Sequence, residues 1–347
     1  MTTVYSLSQL GWSPFFQQQL TLDECCQYQP ARVFAQHRSY VELYTDQGVQ
    51  RLFYTPAMPP LTVGDWVLLN DDATFYRALE RLSCFSRKAS GSKVSEQLIA
   101  SNIDTVFIIT SLNQDFSLNR IERYLALIKE AGADAVVVLT KPDLCDDPAG
   151  YRQQVQAIDP LLMVEVVNGL DADSVKVLLP WCRAGNSVAV LGSSGVGKST
   201  LVNALSGQAA QLTAEARETD AKGRHTTTSR TLHLLPGGGV LLDTPGMREL
   251  QLADCEAGLA EAFADISALA KQCRYSDCQH NSEPGCAVQA ALSRSQIDQR
   301  RLSNYLKLMR EQAYNSASLA EKRDKDRALG RFYRSVKKES RKYKKGR

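Results

Sequence analysis

No run of about eighteen apolar residues occurs anywhere in the 347 residues, which argues against a helical membrane span. The start, MTTVYSLSQLGWSPFFQQQL, lacks a basic leader followed by an apolar stretch, so the chain reads as soluble, not exported and cytoplasmic. A disulfide framework is missing too. Of nine cysteines, six are scattered and three fall close together near the C-terminus, a distribution that suits reduced thiols and one metal site. At 44% hydrophobic content, a chain of this length can bury two or three domain cores.

The net charge of +3 conceals an asymmetry. From Glu321 to Arg347 there are thirteen Lys or Arg against four Asp or Glu, a local net of +9. A solvated helix end is one reading of this tail, and contact with a polyanion such as nucleic acid is the other. Phe332, Tyr333 and Tyr343 interleave with the cations and would permit stacking on bases.

Three regions separate by pattern. From about Pro30 to Arg87, short alternating runs such as ARVFAQH, YVELYT, VQRLFYT and DWVLLN, broken by DQG and TPAMPPLTVG, predict five short strands in a small closed barrel of the oligonucleotide-binding type. Strand pattern alone leaves open whether that barrel binds anything or is scaffold. Between about Ser101 and Leu252, the apolar runs DTVFIITSL, DAVVVLT, LMVEVV, SVAVLG and GVLLDTPG alternate with helical stretches, which predicts a parallel sheet wrapped by helices. After Asp254 the sequence reads as helices around a cysteine cluster.

LGSSGVGKST, Leu191 to Thr200, satisfies G-x-x-x-x-G-K-[ST] between an apolar strand and a helix. Glycines let backbone N–H groups converge on a β-phosphate at the positive end of the following helix. Lys198 would supply charge to the β and γ oxygens, and the Ser199 hydroxyl would bind Mg²⁺. Downstream, LLDTPGMREL ends a strand at Asp243, suited to hold Mg²⁺ through water, with the Gly246 amide three residues on for the γ-phosphate. Between them, one of Thr226, Thr227 and Thr228 in KGRHTTTSR would complete the Mg²⁺ shell, with Thr227 the working choice.

TKPD, Thr140 to Asp143, follows the run AVVVL. The Asp143 carboxylate can accept from guanine N1–H and N2–H₂ together, which adenine does not offer. The Lys141 stem can cover the base and cross to the cradle. In ordinary GTP-binding proteins such a segment comes after the cradle, whereas here it precedes it. The order strand–TKPD, strand–VVN, strand–cradle, threonine loop, strand–DTPG therefore reads as a GTPase domain cut and rejoined.

On these motifs, together with RVFAQHRSYVELYT, VGDWVLL and RKASGSKVSEQLIASNIDTVFIITSLNQDFSLNRIERYL, the chain resembles the RsgA/YjeQ family of circularly permuted GTPases over nearly its whole length. The resemblance implies a multidomain protein. It would have an N-terminal extension (1–29), an OB-like β-barrel (30–87), a central α/β P-loop GTPase domain with circular permutation (88–253), a C-terminal helical zinc-binding domain (254–320) and a basic tail (321–347). It also implies hydrolysis of GTP to GDP on the small ribosomal subunit and its rRNA during late maturation, by a protein expected to be monomeric. Nucleotide contacts are then expected from Thr140, Lys141, Pro142 and Asp143; from Gly192, Ser193, Ser194, Gly195, Val196, Gly197, Lys198, Ser199 and Thr200; and from Gly246.

CRYSDCQHNSEPGC carries Cys273, Cys278, His280 and Cys286, three thiols and an imidazole that match the family's zinc ligands and would close a structural tetrahedral Zn²⁺ site. Three departures stand out. Thr140 replaces the family's usual Asn, and a hydroxyl cannot make both bonds of an amide. VVNG, around Val167 and Asn168, is not the expected second base loop, and no residue there is assigned. Met247 stands where many GTPases carry a water-orienting Gln, which leaves His225 as the candidate to orient water, or as an exposed loop residue without that role. Two other functions compete. One is a P-loop ATPase or small-molecule kinase, opposed by Asp143 and the lack of an acceptor-substrate domain. The other is an RNA-binding assembly module with weak or vestigial hydrolysis.

Overall fold

The computed structural model describes residues 5–88, 96–207, 230–242, 252 and 255–316. Helices α1 (Pro14–Gln17) and α2 (Leu22–Gln27) precede five strands, β1 (Gln29–Gln36), β2 (Tyr40–Thr45), β3 (Gly48–Phe53), β4 (Trp66–Leu69) and β5 (Phe75–Ala78). All are antiparallel neighbours, in the order β5-β4-β1-β2-β3. They curl around a core of their own that includes Val33, Val41, Leu43, Leu52, Val67 and Leu69. Among the described residues no pairing joins β3 to β5, so the five strands do not close by hydrogen bonds as the sequence pattern predicts; β1 instead gives its free edge to β12.

A hairpin of β6 (Cys84–Lys88) and β7 (Glu96–Ser101) leads to β8 (Thr105–Ser111), α3 (Leu118–Glu130), β9 (Asp134–Thr140), α4 (Pro148–Gln156), β10 (Met163–Val167), α5 (Ala172–Val175), β11 (Ser187–Leu191) and α6 (Lys198–Ser206). The chain then adds β12 (Arg230–Leu234) and β13 (Val240–Leu242). Strands β10-β9-β8-β11-β13 lie side by side and parallel, as their uninterrupted Val, Ile and Leu runs require when both faces are covered. TKPD thus leaves β9 and the cradle leaves β11, one on each side of β8, although TKPD comes first along the chain.

The barrel and this sheet are hydrogen-bonded into one. Strand β12 runs antiparallel to β13 on one side and pairs with β1 on the other, with Ala35 opposite Thr231 and Gln36 opposite Arg230. Strands β1 and β4 are buried on both faces rather than alternating. Ala31, Val33, Val67 and Leu69 fill the barrel, whereas Phe34, Trp66 and Leu68 join the main core beneath the N-terminal segment. Arg32 fastens the junction. Fully buried, its guanidinium donates to the carbonyls of Leu10, Gly64 and Asn102 and lies 5.6 Å from the Trp66 ring centre. Burial lowers its pKa to about 10, which still leaves it charged at neutral pH.

The C-terminal part consists of α7 (Glu256–Ala262), α8 (Ala264–Ala270), α9 (Ala287–Ser293) and α10 (Gln299–Ser316), and it packs on α3. Gly258 permits the approach, since a Cβ there would fall 2.1 Å from the Ala126 carbonyl. A polar cluster locks it. Glu122 of α3, wholly buried, accepts from Arg300, Arg301 and Asn304 of α10, and Arg301 also pairs with Asp265 at 2.8 Å.

Candidate functional site

Strand β11 is buried along its length and stops where Gly192 begins the cradle. A Cβ on Gly192 would strike the Ile109 carbonyl at 2.3 Å, so the turn out of the sheet demands glycine. Gly195 and Gly197 sit at φ 81 and 94, where side chains are strained. A Cβ on Gly195 would meet nothing within 4 Å, which identifies the open side of the loop. Gly197 caps α6, whose first residues are Lys198 and Ser199, so the helix's positive end faces the loop. The Lys198 ammonium is folded back onto the Gly192 carbonyl at 2.8 Å and the Ser193 carbonyl. Ser199 is exposed at the same helix start.

TKPD converges on this loop. Lys141, at φ 58, reaches across so that its ammonium donates to the Gly195 carbonyl at 2.7 Å. Thr140 is 3% exposed, and its hydroxyl donates to the Val196 carbonyl at 2.6 Å, with the Thr110 carbonyl at 3.3 Å. A hydroxyl has one proton, so its donation is committed to the cradle. Pro142, Asp143 and Leu144 form the following single turn, and Asp143 is exposed on it. The loop after β10 lies alongside as well, since a Cβ on Gly169 would be 3.5 Å from the Thr200 methyl group. Asn168 stiffens that loop by accepting from the Leu170 amide at 3.1 Å.

Two participants escaped the sequence reading. Asp115 and Arg120, flanking the Ser117 cap of α3, grip the Ser193 side chain: its hydroxyl meets the Asp115 carboxylate at 2.7 Å and the Arg120 guanidinium at 2.5 Å. The two also pair with each other at 2.7 Å. The hydrogen bond from Arg120, chiefly, holds the Asp115 carboxyl below its usual range. Their spacing of five residues is no recognised signature, and only the fold brings them beside the cradle.

The strand β13 ends at Leu242, paired with Ala189 of the cradle strand. The next residue, Asp243, lies outside the described residues, as do Gly246, Met247, His225, Thr226, Thr227, Thr228 and the basic tail. Of the expected Mg²⁺ ligands, Ser199 is therefore the one described.

Between α8 and α9, Cys273, Cys278, His280 and Cys286 gather with their ligand atoms within 4.8 Å of one another. The sulfurs of Cys273 and Cys286 are 3.8 Å apart, and His280 Nδ1 lies 3.6 and 3.5 Å from them. Bonds of about 2.3 Å to sulfur and 2.0 Å to nitrogen give tetrahedral edges of about 3.8 and 3.5 Å, so the cluster fits one zinc ion with four protein ligands. Burial keeps His280 below its usual pKa, favouring the neutral imidazole that binds metal. The turn is shaped by Glu283, another residue the spacing did not single out. Its carboxylate accepts from the amides of Gln279, Asn281 and Ser282 at 2.9 to 3.1 Å, and the His280 carbonyl accepts from Gln289.

A family model described as RsgA GTPase matches residues 78–253. "Small ribosomal subunit biogenesis GTPase RsgA 2" of Vibrio parahaemolyticus serotype O3:K6 (strain RIMD 2210633) is 60% identical over 342 residues, 99% of this chain and 96% of that one. "Small ribosomal subunit biogenesis GTPase RsgA" of Mesorhizobium japonicum is 44% identical over 317 residues, 90% of this chain and 91% of its own. Among solved structures, YjeQ from Thermotoga maritima superposes with a TM-score of 0.62 at 23% identity, over 82% of this chain and 98% of that one. YloQ, described as a circularly permuted GTPase, gives 0.58 at 22%, over 84% and 97%. At that identity these two speak to the fold alone. The chain belongs to the RsgA GTPase family.

Proposed function

We propose that the protein hydrolyses GTP to GDP and phosphate on the small ribosomal subunit during its maturation, in the cytoplasm and as a monomer, with contacts to rRNA. The observation that carries the nucleotide part is the convergence of TKPD on the cradle through Lys141 and Gly195 at 2.7 Å and Thr140 and Val196 at 2.6 Å. It supports reading Asp143, exposed in the turn that follows Lys141, as the guanine-selective carboxylate. In this reading the cradle from Gly192 to Thr200 wraps the phosphates, Lys198 neutralises the β and γ oxygens, and Lys141 lies along the base. Mg²⁺ when bound neutralises phosphate charge, with Ser199, Asp243 and Thr227 as its holders, and the Gly246 amide faces the γ-phosphate. His225 orients the attacking water once its loop is ordered on the subunit.

The subunit half of the proposal draws on the printed names of relatives that align with nearly the whole chain. The zinc ion is structural, since four protein ligands leave no position for water. Those same names favour a hydrolase over an RNA-binding module with vestigial turnover. The test is nucleotide competition. GTP and GDP should displace a labelled guanine nucleotide and ATP should not, and Asp143→Asn should weaken GTP by at least tenfold while admitting xanthosine nucleotides, whose C2 carbonyl accepts from the new amide. Equal affinity for ATP and GTP, or an Asp143→Asn variant that keeps full GTP affinity, would remove TKPD from the base site.

A further inference from the structure

Thr140 closes β9 with a strand on either side of it, opposite Ser111 of β8 and Val167 of β10. Its backbone is pinned there, since its carbonyl accepts from the Leu112 amide at 2.9 Å. The side chain lies under the cradle, where a Cβ on Gly197 would come 3.9 Å from the Thr140 hydroxyl oxygen. That oxygen is 2.6 Å from the Val196 carbonyl and 3.3 Å from the Thr110 carbonyl, and both of these are acceptors. The single hydroxyl proton goes to the nearer one. Toward any further group, Thr140 turns an oxygen lone pair.

This bears on which atoms of guanine can be read. With the Asp143 carboxylate taking N1–H and N2–H₂ on one edge of the base and the Lys141 stem over its face, N7 lies on the opposite edge, and N7 is itself an acceptor. Two acceptors do not attract. We infer that this site selects guanine without reading N7, that Thr140 is the residue that sets this, and that guanine nucleotides carrying carbon in place of N7 are ligands equal to the natural ones. An amide at position 140 would behave differently, because it has two N–H donors, one for the Val196 carbonyl and one left over for N7. A hydroxyl has to choose, and here it chooses the cradle. The inference rests on the guanine-nucleotide reading and deepens it, by naming the part of the base that goes unrecognised.

The test compares the affinities of the full-length chain for GDP, for 7-deaza-GDP, in which a C–H replaces N7, and for IDP, which lacks the N2 amine. Each competes against a fluorescent guanine nucleotide. In the wild type, 7-deaza-GDP should bind within about twofold of GDP, whereas IDP should be weaker by about tenfold or more, having lost a hydrogen bond to a charged acceptor. Thr140→Asn should open the ratio between GDP and 7-deaza-GDP from about one to about five, the worth of one neutral hydrogen bond. Taking the ratio cancels any change in the tie between the two loops. Thr140→Ser keeps the hydroxyl and should leave the ratio at about one. A larger loss with 7-deaza-GDP in the wild type overturns the inference even if no variant folds, because some donor then reads N7. A folded Thr140→Asn variant whose ratio stays at one also overturns it, since position 140 would not face N7. IDP binding as tightly as GDP would instead contradict the reading of Asp143 as the guanine-selective carboxylate.

Discussion

The Thr140 hydroxyl donates to the Val196 carbonyl at 2.6 Å, fastening the end of the strand that carries TKPD to the phosphate loop. Thr140→Val keeps the shape and removes the bond, leaving the Val196 carbonyl without that donor. A single neutral hydrogen bond is worth about 1 kcal/mol, so GTP and GDP should both weaken by about fivefold, to similar extents. Titration with a fluorescent guanine nucleotide measures this. A change confined to GTP would mean that Thr140 senses the γ-phosphate rather than tying two loops together.

Arg120 and Asp115 hold the cradle from the other side through Ser193. Because the Arg120 side chain is 36% exposed, solvent screening limits the pair to about 0.5–1 kcal/mol. Arg120→Ala and Ser193→Ala should each weaken nucleotide binding a few-fold, and the double variant should be little worse than Arg120→Ala. A double-mutant cycle reads the coupling directly, and strictly additive effects would show that the clasp does not act on the cradle.

Metal content gives an independent check. Protein purified without chelator should carry about one zinc per chain, and Cys273→Ser, Cys278→Ser or Cys286→Ser should each lose it with order in the C-terminal helices. Glu283→Ala removes the acceptor for three backbone amides without touching the metal, and should lower zinc affinity about tenfold or more. Elemental analysis that finds no zinc in the wild type would contradict the site.

The buried Glu122 joins α3 to α10 through Arg300 and Arg301. Glu122→Ala leaves Arg301 partly unpaired in the core and should cost about 3 kcal/mol in thermal or denaturant unfolding. An unchanged midpoint would mean that the apolar contacts around Phe263 and Leu302, with pairs such as Arg123–Glu311, hold the C-terminal helices without Glu122.

Residues that act through local chemistry were legible in the sequence. The cradle's glycines, Lys198, TKPD and the Cys and His cluster stand out by spacing, and the structure brings TKPD to the cradle and gathers the four Cys and His side chains. Strand runs such as VFIIT were legible because burial on both faces forces them. Asp115, Arg120, Glu122 and Glu283 were not, since each acts on a partner that the chain reaches only after folding, as with Arg301, 179 residues beyond Glu122. The fusion of barrel and sheet through β1 and β12 was hidden for the same reason. Nothing in ARVFAQH states that its last residues will pair with a strand nearly two hundred positions away.

The central claim is a GTPase completed by the ribosome. In the proposed function Lys198 and Ser199 bind the triphosphate, Met247 offers no group to orient water, and His225 is the candidate that the small subunit would bring to the site. If that ordering is worth about 3 to 4 kcal/mol, turnover should rise by roughly two to three powers of ten. The direct measurement is GTP turnover by the full-length protein with and without small ribosomal subunits, at a salt concentration where the two bind. Strong stimulation by the subunits, lost in His225→Ala although GTP and subunit binding persist, is the predicted result. Equal turnover with and without bound subunits would contradict it.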